Sequence, residues 1–191
     1  MKLWLVRHAP VLLAPGLCYG ALDVPADPAA TAACAQALAA QLPPALRVSR
    51  SPLQRCEQLA QALQALRPDL TFKTDTRLRE MDFGAWEGRP WDAIARDEFE
   101  AWTRNFADHA PGGHGETVRA LMQRVGAAFD DLRQHGQTEG VWLTHAGVIR
   151  AVQLIAQGRR DVERADQWPL DAPACGQWRT LALSLHTPSS R

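Results

Sequence analysis

The chain opens MKLWLVRHAPV over residues 1–11, and this stretch decides how the rest is read. An apolar run at residues 3–6 stops at Arg7-His8 instead of at turn residues such as Gly, Asn or Asp. A short apolar run reads as a buried strand. This one delivers a cation and an imidazole to the edge of whatever sheet it joins. An isolated Arg-His pair at a strand end is most often a surface arginine and a hydrogen-bonded histidine, so the weight falls on what else reaches that edge.

Working outward, short strand-like stretches with apolar residues recur at 46–48 and 141–143, each followed by a polar turn and a segment of helical period. This βα alternation predicts an α/β fold, a three-layer αβα sandwich with a mostly parallel central sheet and helices on both faces. Asp27-Pro28 reads as an N-cap and first helical residue, with the helix stopped by Pro43-Pro44. Ser51-Pro52-Leu53-Gln54 reads as a capping box opening a second helix. From Thr117, the residues Val118, Leu121, Met122, Val125, Phe129 and Leu132 share a helical face that His135-Gly136 would end. Val148, Ile149, Val152 and Ile155 mark another helix, stopped near Gly158. Residues 92–106 suit a helix over the sheet. Residues 180–186 alternate with period two, as in a strand near a sheet edge. No repeat, linker or low-complexity tract divides the chain, so one domain over 1–191 is expected, with a frayed tail at 187–191.

The totals narrow the function. A chain of 191 residues buries roughly 70% of its unfolded surface without metal or disulfide staples, so its stability requires no cofactor. Lys plus Arg equal Asp plus Glu at 21 each, leaving no net field to attract nucleic acid or an anionic membrane. Any anion site must be local. Cys18, Cys34, Cys56 and Cys175 are scattered without zinc-ligand spacing and read as reduced, mostly buried thiols. The run before Arg7 is too short for a signal peptide or a membrane span, and a cytoplasmic protein is expected.

In a parallel sheet the strand ends and the following helix N-termini share one edge, where ligands bind. Arg7 and His8 end the first strand, Arg55 lies in the first turn after Ser51, and Thr144, His145 and Gly147 span the junction after 141–143. Two arginines, two histidines and helix N–H groups make an anion pocket, and phosphate oxygens use bidentate guanidinium contacts best. A neutral imidazole in such a pocket can attack phosphorus and form a phosphohistidine. The other histidine, as imidazolium or N–H donor, would stabilise the transferring group. The leaving alcohol then needs an acid. Glu80, with apolar neighbours that would favour its protonated form, is the first candidate and Asp82 the second.

Four separated stretches, LVRHA at 5–9, SRSPLQRCEQLA at 49–60, LREMDFGAWEG at 78–88 and LTHAGVIRA at 143–151, together resemble the histidine phosphatase superfamily, in this order and as far as about Gly158. The resemblance implies His8 as nucleophile, Arg7, Arg55 and His145 as the phosphate pocket, and Glu80 as acid. It implies a metal-independent phosphomonoesterase without cofactor, acting on a small phosphorylated substrate. Within the superfamily, GLCYGALDVP at 16–25 and EMDFGAWEGRPWDAI at 80–94 look most like α-ribazole phosphatases of cobalamin biosynthesis. Two alternatives stand beside this reading: a phosphoglycerate mutase-type transfer, disfavoured by the short chain, and a non-catalytic phospholigand-binding protein. The second is motivated by residues 9–14, where Ala9 replaces the family's usual Gly and the polar side chains that touch phosphate are replaced through Ala14. Ala9 fits there only with a negative φ or tolerated strain.

The remaining candidates have plainer readings. His109, His114, His135 and His186 carry no motif and read as surface or capping residues. His114 alone, in the glycine-rich and mobile-looking loop 111–116, is a candidate substrate contact. Trp86, Trp91 and Trp102 read as core packing, with stacking on a flat substrate ring as the alternative. A metal held by His8, His145 and Glu80 is disfavoured by two arginines that would repel a cation. The sequence carries no signal for oligomeric state.

Overall fold

A computed structural model describes residues 1–134 and 138–183. The opening run is the strand β1 (Lys2–Arg7), followed by α1 (Pro28–Ala39), β2 (Arg47–Arg50), α2 (Gln54–Leu66) and β3 (Thr71–Thr74). Then come α3 (Arg96–Arg104), α4 (Val118–Gln134), β4 (Glu139–Thr144), α5 (Ala146–Ala156) and β5 (Trp178–Ala182). The sheet order is β3-β2-β4-β1-β5. All pairs are parallel except β1 with β5.

The alternation of β1 builds the layers. Successive strand side chains point to opposite faces, so Leu3 and Leu5 join one buried cluster while Trp4 and Val6 join another. Leu3 and Leu5 pack with Trp142 of β4 against Leu121, Val125 and Phe129 of α4 and Ile149 and Val152 of α5. Trp4 and Val6 pack with Val141 and Leu143 against Ala35 and Leu38 of α1 and Leu59 and Leu63 of α2. The result is the expected αβα sandwich. Asp27 caps α1 as anticipated, its Oδ1 accepting from Ala30 N–H at 2.7 Å. β5 is an edge strand, as its period-two pattern suggested. None of the helices among the described residues is long and apolar enough to cross a membrane.

Several local expectations are corrected. The strand β3 has no sequence signal, because Thr71–Thr74 lies at the sheet edge with little burial and so shows no apolar alternation. The capping box at Ser51 does not form. α2 starts at Gln54, whose N–H and side-chain amide donate to Asp23 Oδ1 and Asp23 O at 2.7 Å each, while the Ser51 hydroxyl turns to His145. Residues 92–106 yield only the nine-residue α3, with no buried residue of its own. Its Phe99 stacks on Trp86 and its Trp102 meets Trp86 edge-on, in a loop cluster, and Trp102 also packs against the core cluster on one face of the sheet. The loop 111–116 is locked: a Cβ on Gly112 would stand 2.4 Å from Ala85 N and one on Gly115 2.5 Å from Pro111 O. Gly112 and Gly115 serve close backbone approach, and Gly113 takes a positive φ of 80°. The proposed cap at His135-Gly136, His186, the end of the 180–186 strand and the tail 187–191 lie outside the described residues.

Candidate active site

The parallel register sets the site. Arg7 pairs with Thr144 and Arg50 with Leu143, so β1, β2 and β4 end side by side and the next residues of each chain segment converge. His8 N–H continues the ladder onto Thr144 O at 3.1 Å, and Ser51 N–H donates to Leu143 O at 3.0 Å. Gly176 N–H donates to His8 O at 2.8 Å, clamping the His8 backbone from the far side. Arg7, His8, Arg55 and His145 are thereby brought together, and the His8 and His145 ring centroids lie 5.1 Å apart.

His8 is buried, and its Nδ1 lies 2.7 Å from Ala9 O. A carbonyl only accepts, so Nδ1 carries the proton and Nε2 keeps its lone pair. Burial, then the Arg55 guanidinium, pull the ring from its ordinary pKa of 6.5 to about 3. His8 is therefore a neutral imidazole with one fixed tautomer and a free lone pair. Ala9 is accommodated without strain, since Ala45 is the one non-glycine residue with positive φ among the described residues.

Arg55 has no exposed surface, and three of its N–H donors are spent within the chain. Nη1 donates to Leu22 O at 2.9 Å, Nη2 to Gly20 O at 2.7 Å and Nε to His145 Nδ1 at 3.2 Å. A guanidinium can only donate, so His145 Nδ1 is the acceptor and its proton sits on Nε2, 2.8 Å from Ser51 Oγ. Burial and the neighbouring Arg55 hold His145 well below 6.5. Both histidines are thus neutral, with opposite tautomers. The Arg7 Nη1 donates to Pro173 O at 3.0 Å, while its buried Nε has no partner among the described residues. Such an orphaned charged donor costs free energy unless an acceptor meets it, which marks Arg7 as built for an anion.

The sequence placed Glu80 among apolar neighbours, but its carboxyl oxygens meet N–H donors instead. Oε2 accepts from Gly147 N–H in the first turn of α5 and Oε1 from Met81 N–H, both at 3.0 Å. Gly147 is required for this seat, because a Cβ there would stand 2.3 Å from Glu80 Oε1. Asp82, the second candidate, spends Oδ1 on Gly84 N–H at 2.8 Å and closes a turn. His114 is exposed on the locked loop.

Other residues shape the site; Tyr19 and Glu87 lie in the stretches at 16–25 and 78–88, whereas Arg124 carries no motif. Glu87 accepts from Gly20, Ala21, Leu22 and Phe83 N–H at 2.8 to 3.1 Å, stapling the loop whose carbonyls hold Arg55. Arg124 pairs with Glu116 at 2.6 Å and donates to Arg79 O at 2.8 Å, bracing the strand of chain that carries Glu80. Tyr19 lies under the Arg55 guanidinium, 5.5 Å from its ring centroid. Burial raises the thiols of Cys18 and Cys56 to about 12, so neither supplies a thiolate at neutral pH.

A neutral histidine whose Nε2 lone pair is not committed to another group, flanked by two arginines at the C-terminal edge of a mostly parallel sheet, makes a histidine-centred anion site of the phosphoryl-transfer kind. A model of the histidine phosphatase superfamily (branch 1) matches residues 3–178, and the chain belongs to that superfamily. It is 31% identical to TTHB049 from Thermus thermophilus, covering 95% of this chain and 93% of that one with a TM-score of 0.67. It is 26% identical to a mycobacterial glucosyl-3-phosphoglycerate phosphatase, Rv2419c, over 81% of this chain and 78% of that one, at a TM-score of 0.68. Among curated relatives, the probable phosphoglycerate mutase GpmB of Salmonella arizonae is 38% identical over 83 residues, 41% of this chain. The match spans only 37% of that relative's length.

Proposed function

We propose that the chain is a metal-independent phosphomonoesterase that works through a phosphohistidine on His8. The observation that carries this is the His8 ring, neutral, with its proton committed to Ala9 O and Nε2 left as the nucleophile. In the first step the Nε2–P bond forms as the P–O bond to the alcohol breaks, and Glu80 passes its proton to the departing oxygen. Arg7 and Arg55 neutralise the equatorial phosphoryl oxygens. His145 donates Nε2–H to one of them in exchange for Ser51. In the second step water attacks phosphorus, the Nε2–P bond breaks and Glu80 recovers a proton from the water. The substrate is a small phosphorylated metabolite, and α-ribazole 5′-phosphate is the first to assay, on the likeness of residues 16–25 and 80–94 to that subfamily. The protein works in the cytoplasm, with neither nucleic acid nor membrane as partner.

Rapid quench with ³²P-labelled substrate tests the mechanism. Label is expected on His8 in an acid-labile, alkali-stable bond, absent from His8→Ala. Label on serine, cysteine or a carboxylate would refute it. The names of the curated relatives favour a second reading, transfer of the phosphoryl group back to the substrate, as in a mutase. Release of inorganic phosphate in step with alcohol supports hydrolysis, whereas phosphoglycerate isomerisation without phosphate release supports the mutase.

A further inference from the structure

A cavity of about 270 Å³ adjoins the site on its Glu80 side, and nothing above uses it. Phe83, Trp91, Trp102, Phe106 and Trp168 wall it, and Glu80, Gly147 and Arg150 line it as well. It is therefore continuous with the carboxyl group assigned to protonate the leaving oxygen, since Glu80 and Gly147 are hydrogen-bonded to each other. Two of its wall residues share a second property. Trp102 Nε1 and Arg150 Nε are buried donors without a hydrogen-bond partner among the described residues. Arg150 uses Nη2 on Leu170 O at 3.0 Å, so its head is anchored while Nε stays unspent. Trp86, by contrast, satisfies its indole N–H on Glu98 at 2.8 Å and belongs to the core.

Buried donors are paired in the great majority of folded proteins, and each exception asks for a reason. Both atoms are closed off from the cavity as it stands, so a ligand meets them once the indole and the Arg150 side chain shift, and an acceptor on the ligand would supply the partner they lack. The volume equals that of about nine waters at liquid density, enough for one or two fused rings. Planar walls of Trp and Phe favour a flat apolar group.

We infer that this cavity is the leaving-group subsite, and that it takes an alcohol bearing a flat ring system with a hydrogen-bond acceptor on its edge, read by Trp102 Nε1 and Arg150 Nε. The assignment to the leaving group rests on the phosphomonoesterase reading; binding of the ring does not. The group enters with its phosphoryl end between Arg7 and Arg55, and its bridging oxygen faces Glu80. Trp91, 38% exposed at the rim, closes over the ring.

The test uses three esters whose leaving alcohols differ little in basicity: ethyl, naphthylethyl and the quinolinylethyl phosphates, the last adding a ring nitrogen as acceptor. The expected order of kcat/KM is ethyl lowest, naphthylethyl higher by at least about 10-fold, and one quinolinylethyl isomer higher again. Trp91→Ala should shrink the naphthyl advantage over ethyl. Trp102→Phe, which keeps a ring but removes the N–H, should erase the quinoline advantage over naphthyl while leaving the naphthyl advantage. These are ratios within each variant, so partial misfolding does not affect them. Calorimetric binding of the free alcohols to the full chain forms the second arm. Equal kcat/KM for all three esters, or no binding of naphthylethanol at millimolar concentration, overturns the subsite. Binding of the alcohols without turnover of any ester supports the cavity and refutes the phosphatase reading instead.

Discussion

His8 and His145 are the residues on which pH acts. Both are buried and neutral, with folded pKa values below the ordinary 6.5, to about 3 for His8. Above pH 6.5 neither folded nor unfolded chain binds these protons, and their stabilising contribution is complete. As pH falls from 6.5 toward 3 the unfolded chain takes up a proton at His8 that the folded one refuses, so stability drops by about 1.4 kcal/mol per pH unit on its account, and His145 adds a loss of the same sign. Urea unfolding at about pH 7.5 and about pH 5 should therefore show a loss in the wild type that is smaller in His8→Ala by about 2 kcal/mol. An identical loss in both proteins would mean that His8 is already protonable in the fold. On the proposed mechanism the same shift bears on catalysis, because an imidazole whose pKa is lowered to about 3 keeps its lone pair in mildly acidic solution. The single-turnover phosphorylation rate should then show no break near 6.5 that belongs to the enzyme. Glu80→Gln should slow alkyl phosphates by roughly 10²–10⁴-fold, the usual worth of a positioned general acid, and spare aryl phosphates, whose leaving group needs little protonation. Equal losses for both classes would reduce Glu80 to its hydrogen bonds with Met81 and Gly147.

At the scale of elements, the site depends on the loop at 20–22 being pressed against α2. Its carbonyls at Gly20 and Leu22 hold the Arg55 guanidinium, its N–H groups are taken up by Glu87, and Asp23 caps Gln54. Gly20 has no room for a side chain, since a Cβ would stand 1.9 Å from Met81 O. Glu87→Gln keeps the shape but turns an N–H₂ group toward backbone donors. It should cost about 1–3 kcal/mol in urea unfolding and raise KM as Arg55 loses its seat. Unchanged KM with lowered stability would separate the staple from the pocket. Elements with a strong apolar period, α4 and α5, were legible because their pattern is set by burial against one sheet face. The capping box at Ser51 was not, because the hydroxyl has two partners within reach and the buried imidazole wins. A donor in the interior left unpaired costs more than a helix end that Asp23 and water can satisfy.

For the whole molecule, the balance of 21 acidic and 21 basic side chains leaves no net charge, so the positive charge at the sheet edge is a local contribution of residues such as Arg7 and Arg55. In the proposed mechanism Arg7 and Arg55 supply the charge that a metal would otherwise bring, and two guanidinium groups disfavour a cation in the same place. Incubation with EDTA should leave the rate unchanged; activity lost on chelation and regained with Zn²⁺ or Mg²⁺ would assign the charge to a metal. The sequence alone determined the layered α/β architecture, the buried strands ending in Arg7-His8 and Thr144-His145, and the pooling of those residues with Arg55 at one edge. Burial periodicity and parallel strand order are local or topological, so they can be read from spacing. Tertiary structure alone decided the tautomers of the two histidines, the roles of Ser51, Glu87 and Arg124, the environment of Glu80, and the aromatic cavity with its unpaired Trp102 and Arg150 donors. Each of these rests on a choice among hydrogen-bond partners far apart in the chain, such as Ser51 with His145 or Gly20 with Glu87. Residue types and spacing leave such partners equivalent until packing brings one of them within about 3 Å.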